Sequence, residues 1–329
     1  MKYRPLGKTA IGASVVSMGC WAIVGDGTWG SQDEAESIAT IHAARVAGVT
    51  LFDTAEAYGQ GYSETVLGRA LAGRRQEAVI ASKVSGRNLP PEAVRQACER
   101  SLQRLQTDYI DLYQVHWPSR VTPLAETLAA LEELRQEGKV RAVGVCNFGP
   151  GDLADLLARG WAETNQLPYS LLWRAIEHQI QQRCVDAGIG ILCYSPLAQG
   201  LLTGKFASAA EVPDGRARTR LFSGERAMAR HGQAGREEQA FAAIARVRQI
   251  SVEVGQPLAR VALAWLLHQP GVTSVIAGAR RPEQIRETAR AADLELPAEV
   301  VQSLGEATTE LKQSLGPDPD MWQAESRFR

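Results

Sequence analysis

Four protic or ionisable side chains, Asp53, Tyr58, Lys83 and His116, stand at or just beyond the ends of three successive short β-branched runs. Their chemistries interlock. An ordinary tyrosine phenol has a pKa of about 10, too high for easy proton exchange near neutrality. An adjacent ammonium favours the phenolate and draws that value down, and a carboxylate keeps the ammonium charged and in place. Lys83 and Asp53 fit those roles toward Tyr58, and a neutral imidazole at His116 suits a hydrogen bond that orients a substrate oxygen. Singly, each has a structural explanation: a turn aspartate, a loop aromatic, a solvated strand-end lysine, a core histidine. Gathered at one end of a fold, they describe a site that passes a proton to or from an oxygen.

The elements that must gather them follow from the pattern of the whole chain. Runs at 15–19, 50–53, 78–83, 110–116, 140–145, 163–166, 189–195 and 273–277 read as strands. Most neighbours lie roughly 20 to 35 residues apart, the length of one strand-helix-strand unit. Stretches 33–47, 91–105, 123–137 and 175–187 have helical composition, with Gly48, Gly138 and Gly188 just past three of their ends. Eight repeats at this chain length favour an α/β fold, a single (β/α)8 TIM barrel over residues 1–329, in which reacting groups collect at the C-terminal ends of the strands. The stretch 206–236, rich in Gly, Arg and Ala, reads as a mobile loop between the seventh and eighth strands, ahead of a helix over 237–253. The tail 316–329 opens on a Gly316-Pro317-Asp318-Pro319 turn, and Met321-Trp322 is expected to anchor it back onto the body.

Composition excludes several classes. With 36 basic against 37 acidic residues and no block of one sign, no nucleic-acid partner is expected. Five scattered cysteines without C-x-x-C spacing argue against a disulfide framework or structural zinc, and five separated histidines offer no metal-ligand pair, so no metal is expected. Lys2, Arg4 and Lys8 precede an apolar stretch at 11–23 that mimics an export leader, but Gly12, Ser14, Ser17 and Gly19 interrupt it. No run approaches the roughly 20 apolar residues needed to span a bilayer, so a cytoplasmic protein without a membrane anchor is expected.

Two nucleotide-binding look-alikes fail on detail. Gly25-Asp26-Gly27-Thr28-Trp29-Gly30 fits G-x-G-x-x-G, yet Asp26 would oppose a pyrophosphate and Trp29 crowds the helix start. Gly200 to Lys205 has only three residues between its glycines, and Phe206 replaces the hydroxyl that would hold magnesium. No G-x-S-x-G elbow is present.

The motifs L-F-D-T-A-E-A-Y-G (51–59), S-K-V (82–84) and D-L-Y-Q-V-H-W-P (111–118) resemble the aldo-keto reductase family. The likeness continues through G-V-C-N-F (144–148), N-Q-L-P-Y-S (165–170), Y-S-P-L-A-Q-G-L-L-T-G-K (194–205) and G-A-R-R-P-E-Q (278–284), in family order. It implies a barrel oxidoreductase that binds NADP(H) in extended form, with Asp53, Tyr58, Lys83 and His116 as catalytic tetrad. Tyr58 would be the acid in reduction and the base in oxidation. By the same matching, Asn147 and Gln166 would hold the nicotinamide carboxamide and Tyr194 would stack on the ring, with Gly19, Trp21 and Gly278 also against the cofactor. Ser195, Pro196, Leu197, Gly200, Leu202 and Lys205 would cover the pyrophosphate, and Arg218 would belong to the flexible cover. Arg280 and Gln284 would meet the 2'-phosphate, favouring NADP over NAD, with Glu287 and Thr288 at the adenine. Two residues depart from the pattern: Cys146 stands where a serine is usual, and Thr288 where an asparagine is expected.

The resemblance, with the apolar character of Trp21, Ile23, Trp29, Trp117 and Phe148, implies an aromatic-lined substrate pocket around Tyr58 and His116. The partner would be a small aldehyde, ketone, sugar or polyol. The rival reading is a redox-sensing regulatory subunit that binds NADP(H) with little turnover, as some relatives do beside membrane channels.

Overall fold

A period of two along each strand decides which side chains enter the barrel, and the computed structural model, which describes residues 1–329, bears out the closed arrangement. The chain opens with an antiparallel hairpin, β1 (Tyr3–Pro5) and β2 (Gly12–Ser14). The barrel strands are β3 (Val16–Gly19), β4 (Leu51–Asp53), β5 (Val79–Val84), β6 (Ile110–Val115), β7 (Val140–Cys146), β8 (Thr164–Pro168), β9 (Gly190–Tyr194) and β10 (Val272–Gly278). All pair in parallel in sequence order, and β10 closes on β3. Each expected strand is present, with ends displaced by at most two residues.

Helices wrap the outside: α1 (Glu34–Val46), α2 (Tyr62–Ala70), α3 (Pro91–Leu105), α4 (Leu124–Gln136), α5 (Pro150–Arg159), α6 (Ile180–Ala187), α7 (Glu237–Glu253), α8 (Leu258–Leu267), α9 (Pro282–Ala289), α10 (Ala298–Glu306) and α11 (Thr309–Leu315). Local chemistry sets their ends. The Asp33 carboxylate accepts from the Glu36 amide at 2.9 Å to start α1, and Gly48, at φ 84°, supplies the left-handed residue just beyond its end. The expected helix at 175–187 is divided, because Gln179 at φ −150° leaves the helical region between a 3-10 turn, Ala175–His178, and α6. No single helix is long and apolar enough to cross a membrane.

The hydrophobic core has two parts. A cluster of 76 buried residues fills the space between barrel and helices. A second cluster of nine plugs the barrel's lower interior, where Leu6, Ile11 and Ala13 of the hairpin segment meet Leu51, Ala81, Leu112, Ala142, Leu192 and Ile276. Sequence reasoning missed this hairpin, because strands of three residues carry no readable alternation. The stretch 11–23 that mimics a leader contains β2 and β3 and runs into a 3-10 turn, Ala22–Val24.

Above that plug the inward rows continue to the C-terminal ends of the strands. Two residues on from Leu51 is Asp53, and two on from Ala81 is Lys83. Four on from Leu112 is His116, four on from Ala142 is Cys146, and two on from Leu192 is Tyr194. Loop and tail then close over this end. Residues 206–236 hold a short 3-10 turn, Ala209–Glu211, and one isolated bridge from Arg230 to Gln323, and Val212, Ala217, Leu221 and Phe222 are buried. Arg220 ties that stretch to the tail through Asp318 Oδ2 (2.6 Å) and the Asp320 carbonyl (2.9 Å). The tail is fixed further by Trp173 Nε1 donating to the Pro319 carbonyl (3.1 Å) and by the Gly151 and Asp152 amides of α5 donating to the main-chain oxygen of Arg329.

Candidate active site

Lys83 is wholly buried, and its ammonium has three acceptors: Asp53 Oδ1 at 2.7 Å, the Thr54 carbonyl at 2.8 Å and the Tyr58 hydroxyl at 3.0 Å. Because the Tyr58 oxygen accepts from Lys83, its own proton is free to point into the cavity. Tyr58 reaches this position from a tight turn, Tyr58–Gly61, in which Gly61 has φ 94° and a Cβ there would lie 2.5 Å from Arg104 Nε. The second oxygen of Asp53 accepts from Gln166 Nε2 at 2.7 Å, so the carboxylate is fixed from both sides.

Burial pushes the Tyr58 phenol up to about 12, against the downward pull of Lys83. The net shift is therefore opposite to the sequence expectation, which weighed the ammonium and not the desolvation. Tyr58 is a neutral phenol across the physiological range, the protonation state of a donor. Burial works against the Lys83 ammonium, but Asp53 and then Tyr58 outweigh it and hold the group charged. The His116 ring packs edge-on to Tyr58, centroids 5.8 Å apart, and burial pushes its pKa down to about 3, with Lys83 and Arg327 adding to the shift. His116 is thus a neutral imidazole beside a phenolic donor.

A cavity of about 900 Å³ opens above these groups. Of the residues expected at the site, Gly19, Trp21, Trp29, Asp53, Tyr58, His116, Trp117, Asn147, Gln166 and Tyr194 line it. So do Ser195, Pro196, Leu197, Gly200, Lys205, Arg218, Gly278, Arg280, Gln284, Glu287 and Thr288. Lys83 lies beneath the floor. Three expectations are corrected. Ile23 and Leu202 are buried in the main core, each turned inward by a 3-10 turn. Phe148 follows Asn147, whose φ of 63° turns the chain, and it lines instead a separate cavity of about 220 Å³ beside Asp152. Apolar side chains line cores and pockets alike, so sequence could not sort Ile23 and Phe148, whereas the Leu202 amide, in the stretch expected at the pyrophosphate, donates to the Leu197 carbonyl at 3.2 Å. Cys146 is buried and lines no part of the main cavity.

Sequence reasoning missed Gln199, Arg216, Arg230, Arg260, Trp322 and Arg327, which also line the cavity. The signals were present: Arg216 shares an R-A-R triplet with Arg218, and Trp322 is the aromatic of the tail. The G-x-G-x-x-G look-alike is no phosphate cradle, since Asp26 Oδ1 itself accepts from the Thr28 and Trp29 amides at 2.9 and 3.0 Å.

The floor offers an amide-binding pair. Asn147 Nδ2 donates to the His116 carbonyl and its Oδ1 accepts from the Tyr194 hydroxyl, both at 3.0 Å. That leaves one Asn147 N–H and the Gln166 carbonyl oxygen available to a carboxamide. Part of the lining is cationic, with Lys205, Arg216, Arg260 and Arg280 against Glu283 and Glu287. Burial and then Arg216 push Lys205 down to about 8, and burial and then Arg280 lower Arg216. Cations that depress one another, with too few carboxylates to balance them, fit a multiply charged anion such as a dinucleotide's phosphates.

The sequence profile of the Aldo/keto reductase family matches residues 15–308. The chain belongs to that family. This aldo-keto reductase is 36% identical over 320 residues to the NADH-specific methylglyoxal reductase of Escherichia coli K12, covering 90% of this chain and 95% of that protein. It is 37% identical over 298 residues to an aldo-keto reductase of Bacillus subtilis, covering 87% of each. Among solved structures, the glycerol dehydrogenase of Gluconobacter oxydans is similar with a TM-score of 0.82 and 31% identity, over 96% of this chain and 97% of that one. An aldo-keto reductase from Klebsiella pneumoniae in complex with NADPH is similar with a TM-score of 0.73 and 29% identity, over 92% and 93% of the two chains.

Proposed function

We propose that this enzyme reduces the carbonyl of small aldehydes and ketones with NADP(H), reversibly, with Tyr58 delivering the proton. The observation that carries this reading is the buried ammonium of Lys83 bridging Asp53 Oδ1 and the Tyr58 hydroxyl at the cavity floor. A bound reduced nicotinamide would supply the hydride. Asn147 and Gln166 would orient its carboxamide through the free N–H and carbonyl described above, with Tyr194 against its face. Neutral His116 would donate a hydrogen bond to the carbonyl oxygen, and Tyr58 would pass its proton to that oxygen as charge develops there. Lys83 would stabilise the phenolate left behind, and Asp53 would keep Lys83 in place. In the alcohol-oxidising direction the same phenolate would take the proton back.

Lys205, Arg216 and the left-handed turn at Gln199 and Gly200 would receive the pyrophosphate, and Arg280 with Gln284 would receive the 2'-phosphate. Arg280 donates to the carbonyls of Trp29 and Ser31 and to Gln32 Oε1. A phosphate is a stronger acceptor than these neutral oxygens and would draw the guanidinium toward itself. Arg280→Ala is accordingly expected to weaken NADPH by on the order of tenfold or more while changing NADH much less. Titration of cofactor fluorescence measures both, and equal losses would remove the 2'-phosphate role.

The direct test of the function mixes the enzyme with NADPH, and separately NADH, and a panel of small aldehydes and ketones. Loss of reduced-nicotinamide absorbance on mixing is the expected result. Retained cofactor without turnover across the panel would point to the regulatory-subunit reading.

A further inference from the structure

The cavity carries two separate sets of cations. Lys205, Arg216 and Arg280 act on one another. Arg218 stands apart from them, with Arg230 and Asp26 as the charges that act on it. Its guanidinium lies between two indoles, 5.2 Å from the ring centre of Trp21 and 4.6 Å from that of Trp322. Trp21 in turn stacks on Tyr58, centroids 5.9 Å apart. Arg218 is thus one indole ring away from the proton donor. Arg230 stands at the rim beside it, on a segment whose backbone bridges to Gln323 of the tail.

The Arg218 guanidinium lacks an acceptor. Its Nε and Nη2 are shielded from solvent, and no protein acceptor lies within hydrogen-bond reach of either. Nearby carboxylates are committed elsewhere. Asp26 accepts from Trp21 Nε1 and from the Thr28 and Trp29 amides. Asp320 is held bidentately by Arg327 at 2.7 and 2.8 Å and accepts from the Trp322 and Gln323 amides. Indole faces stabilise a cation, but they do not satisfy N–H groups in the guanidinium plane. Nε and Nη2 together form the side-on fork that takes two oxygens of a carboxylate or phosphate.

We propose that the preferred substrates are short aldehydes or ketones carrying a carboxylate or phosphate, which Arg218 receives in its Nε/Nη2 fork once the guanidinium turns that shielded edge into the cavity beside Trp21 and Trp322, while the carbonyl meets Tyr58. This rests on the proposed carbonyl reduction and specifies its substrate class. The anionic group takes no part in bond making: the hydride goes to the carbonyl carbon and the Tyr58 proton to its oxygen. The indole walls exclude water and so strengthen the pairing, and Arg230 at the rim adds to the field that draws an anion in. Arg218 then leaves the cofactor's phosphates to Lys205 and Arg216, a reassignment of its expected place in the cofactor cover.

Initial-rate kinetics on matched substrates test this: butanal against 4-oxobutanoate for the carboxylate, and glyceraldehyde against glyceraldehyde 3-phosphate for the phosphate. For at least one pair, the wild-type enzyme is expected to show kcat/KM on the order of 10- to 100-fold higher for the charged member, mainly through KM. Arg218→Gln is expected to collapse that ratio to about one, and Arg218→Lys, with charge but no planar fork, to keep an intermediate value. Succinate or inorganic phosphate, matching the preferred pair, should perturb tryptophan fluorescence in the wild type and not in Arg218→Gln. A wild-type ratio at or below about one for both pairs overturns the inference while leaving carbonyl reduction intact. So does a ratio unchanged in Arg218→Gln, or equal losses for charged and neutral substrates together with weaker NADPH binding. No turnover of any member, with either cofactor, overturns this inference and the proposed function together.

Discussion

Tyr58→Phe is expected to lower kcat for carbonyl reduction by on the order of a hundred- to ten-thousand-fold, the range for losing a positioned general acid. The phenylalanine keeps the ring between Trp21 and His116 and removes only the oxygen. Lys83 retains two of its three acceptors, Asp53 Oδ1 and the Thr54 carbonyl, so stability should fall by only about 1 kcal/mol. Cofactor affinity should survive, since the cations proposed to receive the phosphates are untouched. Steady-state rates with a small aldehyde, beside cofactor titration, check both halves. Near-native kcat in this variant would mean that another group supplies the proton.

Lys83→Met should be damaging in a different way. It strands Asp53, which is buried and keeps only the Gln166 amide on its second oxygen. Breaking a buried ion pair from one side typically costs about 3–5 kcal/mol, because the partner's charge is left without compensation. Turnover should be lost as well, since nothing then stabilises the tyrosinate. Adding Asp53→Asn should recover part of the stability by removing the stranded charge, while activity stays lost. Denaturant unfolding of the two single variants and the double variant measures this. Additive destabilisation would show that Asp53 and Lys83 do not depend on each other.

The strands and the placement of three of the four candidate residues were legible because one rule governs both, Tyr58 reaching the site from a turn. A strand's period of two carries an apolar lower row, such as Leu51, Ala81 and Leu112, into a polar upper row at Asp53, Lys83 and His116. A reader of residue types sees the change of character at the strand end and needs no coordinates. The hairpin under the barrel was hidden because Leu6, Ile11 and Ala13 sit in segments too short to show a pattern, and only the barrel they plug gives them a role.

The sign of the Tyr58 shift was also out of reach. It depends on how completely the phenol is buried, which no spacing encodes, and burial outweighs the neighbouring charge. The same holds for Arg218. Its place between Trp21 and Trp322 joins three segments distant in sequence, and the tail that brings Trp322 there is held by Arg220, Trp173 and the start of α5.

The pH dependence of kcat/KM for aldehyde reduction tests most directly whether the proton comes from the phenol. An acid catalyst works below its own pKa, so a donor pushed up to about 12 predicts a plateau through neutrality and a fall only well into the alkaline range. His116, pushed down to about 3, should contribute no limb near the ordinary imidazole value of about 6.5. A rate that falls as pH rises through about 6 to 7 would assign the proton to an imidazolium and contradict the role given to Tyr58.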